Sequence, residues 1–328
     1  MTSEESLAEI RPATSGDRVA ILTLLAQQMG WNGPVSAEEF FAWKHDENVF
    51  GSSPAWTAWD GSRLIGFRTM MRWRFVSGSS TVEALRPVDT VTDPAVRRKG
   101  VFRALTMGAL DDLRAVQPNA LIFNTPNAQS RPGYLAMGWS ELGRPATWAH
   151  ISRAGAAPRM IRSLVPAEMW SEPSTAGLSV GEAFGDTAAV EQLLSTQPHA
   201  PGLRTEQSVE YLRWRYGFGP LHYRVFTGPN GVRDGAAIVR ARRRGRALET
   251  VVSDVIVPHD ATRPRRELIA LAGRSMGGDY QLLVGRRPRS SWLPIAGRGP
   301  VVTARTLNGS PPPPLRSWDF RLGDIELF

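Results

Sequence analysis

The chain echoes itself. Residues 10–28, IRPATSGDRVAILTLLAQQ, and residues 180–197, VGEAFGDTAAVEQLLSTQ, both read as a short strand, a turn and a helix. In each, an Asp (Asp17, Asp186) stands at the expected helix start as an N-cap, and a Leu–Leu pair follows about two turns later. Trp–basic pairs come next, in FFAWKH (40–45) and YLRWRY (211–216). Then come AWTAW-DGS-RLIGFRTM and YRVFTG-PNGVRD-GAAIVRA, strand patterns whose DGS and PNG are hairpin signals. Asp17 and Asp186, Trp43 and Trp214, and Gly66 and Gly235 lie at nearly one separation. That period is too long for a solenoid; it predicts one α/β domain, duplicated. A chain of 328 residues has room for two domains of roughly 150 residues each.

Composition removes several chemistries. There is no cysteine, which excludes disulfides, iron–sulfur clusters, thiolate zinc sites and cysteine nucleophiles. The histidines, at 45, 150, 199, 222 and 259, show no metal-ligand spacing, so no metal is expected. No apolar run is long enough to span a bilayer, and the start, MTSEESLAEI, is acidic where a signal peptide would be basic. A cytoplasmic protein with no membrane partner is the expectation. The net charge of +8 invites a nucleic-acid reading, but residues 1–150 are balanced and the excess lies wholly in the second half. Lysine is rare (Lys44 and Lys99 alone) beside many arginines, so codon bias explains part of the charge.

ALRPVDTVTDPAVRRKGVFRALTMGALDDLRAV (84–116) carries the strongest chemical signal. Val88 to Asp93 alternate as a strand, and Pro94 ends the ladder. Beyond Gly100, Phe102, Leu105, Ala109, Leu113 and Val116 recur on one helical face. A strand, a basic loop with a glycine and a helix N-terminus together make an anion site. First-turn N–H groups point outward, the helix dipole adds positive potential, and Gly100 lets a phosphate approach the backbone.

PAVRRKGVF resembles the pyrophosphate loop of GNAT-superfamily acyl-CoA acetyltransferases, Gln/Arg-x-x-Gly-x-Gly/Ala after a strand, with Arg97 first, Gly100 central, and Phe102 in place of the last small residue. ALIFNTPNAQSRPGYLAMGW (120–139) resembles the superfamily's strand followed by Asn-x-x-(Ala/Ser) and Tyr-x-x-x-Gly-(Phe/Trp), matched at Asn127, Ser130, Tyr134, Gly138 and Trp139. The order of strand-helix, hairpin, phosphate loop and Tyr segment is also the superfamily's, so the resemblance extends over about the first 150 residues. It implies two GNAT-like domains of α/β (α+β) class, each a mixed, mostly antiparallel sheet flanked by helices. It implies acyl-CoA, acetyl-CoA in the simplest case, as co-substrate. The CoA would lie against Thr90, Val91 and Thr92 and on Arg97, Arg98, Lys99, Gly100, Val101, Phe102 and Arg103, with Asn127 and Ser130 at the CoA arm. Tyr134 would be the general acid, since a phenol is protonated at neutral pH and can hydrogen-bond to a departing thiolate.

The second half lacks these features. Aligning Pro258 of VVSDVIVPHDATRPRRELIAL with Pro94 puts Pro264, which has no N–H, opposite Gly100. Trp292 falls opposite Tyr134. The expected organisation is a catalytic domain over 1–152, an Ala/Pro/Gly/Ser-rich linker over 153–177, and a degenerate copy over 178–328 that walls the acceptor pocket and carries a docked tail. Tandem members of the enhanced-intracellular-survival type use their final carboxylate as a base, so the resemblance offers the terminal carboxylate of Phe328 for that role. Asp89, with Glu83 behind it, is the candidate base from the residues themselves. Trp31, Trp43, Trp56, Trp59 and Trp73 are core candidates, of which one or two would line an acceptor pocket.

Three activities compete: an acyl-CoA-dependent N-acyltransferase for a small-molecule amine, an aminoacyl-tRNA-dependent relative, and a non-catalytic acyl-CoA-binding protein. RARRRGR (240–246) and RPRR (263–266) are the RNA candidates for the second. The phosphate loop, which such relatives do not need, favours the first.

Overall fold

The computed structural model describes residues 8–31, 33–96, 99–161, 165–198, 202–295, 297 and 299–326. They divide into two compact units: Met1–Phe75, Thr81–Gly143 and Val301–Pro314, and then Val76–Ser80, Arg144–Pro300 and Leu315–Phe328.

The first unit is built from β1 (Glu9–Pro12), α1 (Arg18–Met29), α2 (Ala37–Phe41), β2 (Ala55–Asp60), β3 (Arg63–Ser77), β4 (Ser80–Thr92), α3 (Val101–Val116), β5 (Leu121–Asn124), α4 (Arg131–Ala136) and β6 (Ser140–Gly143). The second contains β7 (Thr147–Ile151), α5 (Ala157–Ile161), β8 (Leu178–Ser179), α6 (Val180–Ala183), α7 (Thr187–Ser195), β9 (Arg204–Thr205) and α8 (Val209–Gly217). It continues through β10 (Arg224–Gly228), β11 (Gly231–Arg244), β12 (Ala247–Ile256), α9 (Thr262–Met276), β13 (Tyr280–Val284) and β14 (Leu293–Pro294). After β15 (Val302–Thr306) comes α10 (Leu322–Ile325).

The first sheet runs β1-β2-β3-β4-β5-β15-β6 and the second β14-β7-β13-β12-β11-β10-β8. Strands β4 and β5 of the first sheet and β12 and β13 of the second pair in parallel. The other registered pairs are antiparallel. Two mixed, mostly antiparallel sheets flanked by helices are what the sequence implied. The DGS and PNG turns close the β2–β3 and β10–β11 hairpins.

The two landmark glycines have one cause. A Cβ on Gly66 would lie 2.8 Å from Leu105 Cδ1 of α3, and one on Gly235 would lie 2.8 Å from Ile256 O and 3.2 Å from Leu268 Cδ1 of α9. Each hydrogen side chain lets the helix after the parallel crossover settle on the sheet. The first core gathers Ile65, Leu85 and Ile122 under Leu105, Ala109 and Leu113. The second gathers Val239, Val252 and Leu283 under Leu268, Ile269 and Ala272.

Three sequence readings change. The domain boundary is not a single cut near residue 152. Strand β7 follows the first half in sequence but pairs with β13, while β15 inserts between β5 and β6, so each unit is closed by a strand from the other half's side of the sequence. Residues 153–177 belong with the second unit, where Glu168 and Glu172 N–H groups bond to Arg243 and Ala241 carbonyls. Asp186 caps α7 through Ala189 N as expected, but Asp17 does not cap α1. Its carboxylate instead takes a bidentate pair from Arg11 at 2.7 and 2.8 Å. The third change concerns Pro264. Helix α9 starts directly after Ala261, so Ala261 stands where Gly100 stands before α3, and Pro264 lies inside the first helical turn. The basic stretch before Gly100 has no counterpart because the second connection is shorter.

Residues 315–326 dock in the second unit, with Trp318, Phe320, Leu322 and Ile325 buried. Glu326 Oε1 accepts from Arg240 at 2.6 Å and Arg242 at 2.8 Å. Burial alone would raise its pKa, but the two guanidinium groups outweigh that and hold it below the ordinary range. Asp324 goes the other way. Burial and then the nearby Asp254 push its carboxyl up to about 6. A raised carboxyl pKa favours the fold below the ordinary carboxylate value, and that contribution is lost as pH rises through about 6. Asp324→Asn should therefore stabilise the protein at pH 8, by about 3 kcal/mol for a shift of this size, and leave it nearly unchanged at pH 4. Denaturant melts at the two pH values measure this.

Candidate active site

Strands β4 and β5 pair in parallel at Ala84–Leu121 and Leu85–Ile122. Beyond that point β4 continues to Thr92 and β5 to Asn124. Thr90 and Thr92 are half-buried at this end, and Val91 turns into the core. Helix α3 follows with Gly100 as its N-cap, at φ 82, which favours glycine. No side chain caps the helix, a Cβ on Gly100 would meet nothing within 4 Å, and Lys99 and Arg103 are exposed beside it. This is open space at an uncapped positive helix end. Val101 sends its side chain into the core, leaving its backbone for the site. Arg97 and Arg98 lie outside the described residues.

Tyr134, on α4, is buried. Its hydroxyl accepts a 3.0 Å hydrogen bond from Arg68 Nη2 on β3. The Phe102 ring meets Tyr134 edge-on at 5.4 Å, and Trp139 meets it from 5.1 Å. Phe102 is thus a wall of the tyrosine pocket, which accounts for a ring where the resembled motif has a small residue. Arg68 is fully buried, lies against both Phe102 and Tyr134, and leaves Nε and Nη1 without a hydrogen-bond partner. Buried guanidinium donors are costly to leave unmade. An acceptor-bearing group fits against them. Asn127 Oδ1 accepts from Ser130 N at 2.9 Å, Ser130 Oγ at 3.1 Å and Gln129 N at 3.0 Å, so both predicted CoA-arm residues shape the turn into α4.

Asp89 is buried, in a different setting from a solvent-facing base. Lys44 Nζ donates to Oδ1 at 2.9 Å, and His45 Nε2 lies 2.8 Å from Oδ2. Burial would raise the Asp89 pKa, but Lys44 and His45 outweigh it and hold the carboxyl below its usual range. Burial pushes His45 down, so the ring is neutral at pH 7. With Nε2–H donating to the carboxylate, Nδ1 is left to accept from Ser53 Oγ, 2.9 Å away. Lys44 and His45 sit on a π-helical turn, Ala42–Asp46, closed by Glu47 N to Ala42 O, and Asp89 holds φ 48. A wide helical turn and a left-handed non-glycine residue, locked by a buried charged triad, are the kind of over-determined backbone found at functional sites.

Lys44, His45, Ser53 and Arg68 were not anticipated. A signal existed for two of them: Lys44 is one of two lysines in an arginine-rich chain, and Arg68 interrupts the apolar run of β3. Glu83 is exposed and paired to Arg74 at 3.0 Å. Trp31, Trp43, Trp56 and Trp73 are buried, and Trp31 packs against Phe40 and Phe41. Phe328 lies outside the described residues. The arginines of RARRRGR are largely engaged: Arg240 and Arg242 with Glu326, Arg243 with Glu172, and Arg244 with Glu249. In RPRR, Arg265 is buried and donates to Val255 O, and Arg263 pairs with Glu267. Among the described residues no group of three or more His, Asp or Glu side chains is placed to hold a metal ion, and no helix is long and apolar enough to cross a membrane.

Residues 9–142 match the family model described as an acetyltransferase (GNAT) domain. No significant match was found among curated proteins. Among solved structures, the fold is similar to a probable N-acyltransferase from Enterococcus faecalis (TM-score 0.61, 11% identity, 92% of this chain and 73% of that chain). It is similar to a GCN5-related N-acetyltransferase from Anabaena variabilis (TM-score 0.62, 11% identity, 92% and 73%). It is also similar to Eis1 from Mycobacterium abscessus (TM-score 0.56, 16% identity, 92% and 74%). An uncapped glycine-led helix after a parallel strand pair, a buried tyrosine beside it and this family match agree: residues 9–142 are a domain of the GNAT acetyltransferase family.

Proposed function

We propose that the first unit transfers an acyl group, acetyl in the simplest case, from CoA to the amine of a small molecule by direct attack in a ternary complex. The observation that carries this reading is the buried Tyr134 hydroxyl, held by Arg68 and set beside the open N-terminus of α3. CoA phosphates would take the first-turn N–H groups with Lys99, and the pantetheine arm would enter where β4 and β5 part. The amine attacks the thioester carbonyl, whose oxygen the backbone after Thr90 polarises, and the tetrahedral intermediate collapses with the C–S bond breaking. Tyr134 gives its proton to the leaving sulfur. Because Arg68 already donates to the tyrosine oxygen, the O–H is free to point at sulfur, and the orphaned guanidinium donors favour developing negative charge.

The amine must lose a proton. In this reading Ser53 Oγ receives it and passes its own proton to His45 Nδ1, and Asp89 stabilises the imidazolium. Asp89 is then the orienting carboxylate of a relay, with Lys44 keeping it ionised. In this reading the second unit supplies no acyl-CoA site: its connection before α9 has Ala261 where α3 has Gly100, and no basic loop. The engaged arginines of 240–246 favour a CoA donor over aminoacyl-tRNA. Acyl-CoA as donor makes the cytoplasm the compartment this reading requires.

The binding half is tested by thermal-shift titration with acetyl-, propionyl- and longer acyl-CoA: a saturable rise in melting temperature is expected, and no rise with any of them rejects the reading. The relay is tested by the pH profile of kcat. A depressed His45 pKa keeps the ring neutral, so kcat should hold as pH falls through 6.5 and drop only below it. His45→Gln should lower kcat by about 10²-fold, the range for a lost general base, and remove that acid limb. An unchanged limb in the variant rejects the relay.

A further inference from the structure

In the second unit the segment between β13 and β15 makes no helix among the described residues. Its counterpart after β5 forms α4, whose Tyr134 and Met137 enter the core beside Leu105 and Ala109. After Val284 the chain reads GRRPRSSW, and a proline among arginines cannot present an apolar helix face. A cavity of about 420 Å³ remains beside α9, within the range of small-molecule sites.

Its lining is one-sided in charge. Arg153, Arg266, Arg274 and Arg289 line it and no carboxylate does. The side chains of Arg274 and Arg289 make no ion pair or hydrogen bond among the described residues. Arg266 is steadied by a 2.5 Å bond from Nε to Pro288 O, which leaves its terminal nitrogens for another acceptor. Deeper in the lining, Gln281 is 4% exposed and its Oε1 has no hydrogen-bond partner. A Cβ on Gly273 would lie 2.1 Å from the Gln281 amide nitrogen, so the glycine is what lets this amide lie under the helix. A buried acceptor without a donor is costly, and here it lines the same cavity as four arginines.

We infer that this cavity binds a small phosphate monoester: the arginines take the phosphate, and Gln281 Oε1 accepts from a hydroxyl or amino group on the ligand's body. Guanidinium forks match phosphate oxygens in pairs, and no carboxylate among the described residues lines the cavity itself, the nearby Asp279 acting on Arg153 from outside it. This site is separate from the acyltransfer chemistry of the first unit and does not depend on it.

Calorimetric titration of the full chain in about 150 mM salt, where diffuse polyanion binding is screened, tests it with ribose 5-phosphate, ribose and inorganic phosphate. Ribose 5-phosphate should bind, phosphate more weakly, and ribose not at all. Arg274→Ala with Arg289→Ala, both at exposed positions, should weaken ribose 5-phosphate at least tenfold. Gln281→Leu should weaken ribose 5-phosphate about tenfold and leave inorganic phosphate unchanged. No heat from either phosphate probe, equal binding of ribose, or arginine variants that bind as well as the native chain would each overturn the inference.

Discussion

Tyr134→Phe should lower kcat for amine acylation by about 10²–10³-fold, the contribution of a positioned proton donor, while acetyl-CoA binding changes less than about twofold. The ring stays, so its edge-on packing with Phe102 and Trp139 stays. What disappears is the proton for the leaving sulfur and the acceptor for Arg68 Nη2. The second loss leaves another buried donor unmade on a guanidinium whose Nε and Nη1 already lack partners, so a stability cost of about 1–3 kcal/mol accompanies the kinetic one. Free-thiol release reads the kinetics cleanly, because the chain has no cysteine of its own. A kcat within a few-fold of the native value would remove Tyr134 from the chemistry.

Asp89→Ala should destabilise the first unit strongly, by about 3–5 kcal/mol, because it takes the carboxylate from a buried ion pair and leaves the cation in place. Lys44 is 4% exposed and its ammonium lies 2.9 Å from this carboxylate. The same change frees His45 to take either tautomer and so disconnects Ser53. A double variant separates the effects. Lys44→Met combined with Asp89→Asn removes both charges and keeps a residue that tolerates the left-handed conformation at φ 48, so most of the stability should return. Activity should not return, since the imidazolium would have no counter-charge. Guanidinium melts and kcat on the three proteins check this, and a double variant with native activity would show that the triad only braces β4.

The sequence made the architecture legible where local rules governed. DGS and PNG set the hairpins, Asp186 capped its helix, and Gly66 and Gly235 marked where α3 and α9 approach their sheets. It failed where pairing was non-local. Nothing in TWAHI or VTART announces that β7 leaves the first sheet or that β15 enters it, because a short apolar strand fits any open edge of matching register. Asp17 had the position of a cap but found Arg11, a stronger partner than a helix N–H. The site divided in the same way. Gly100 and Tyr134 were legible because their roles are written into short motifs. Lys44, His45, Ser53 and Arg68 were not, because their roles come from a contact with Asp89 or Tyr134 made across the fold.

The central claim is that the GNAT domain of this chain couples acyl-CoA cleavage to amine acylation. The most direct measurement incubates the native protein with acetyl-CoA and a panel of primary amines and quantifies thiol released and acetylated amine formed in the same reaction. The account predicts thiol release that requires an amine, matches the product one for one, and falls by at least 10²-fold in Tyr134→Phe. Thiol release without acetylated amine, or no release with any amine while acetyl-CoA fails to bind, would contradict it.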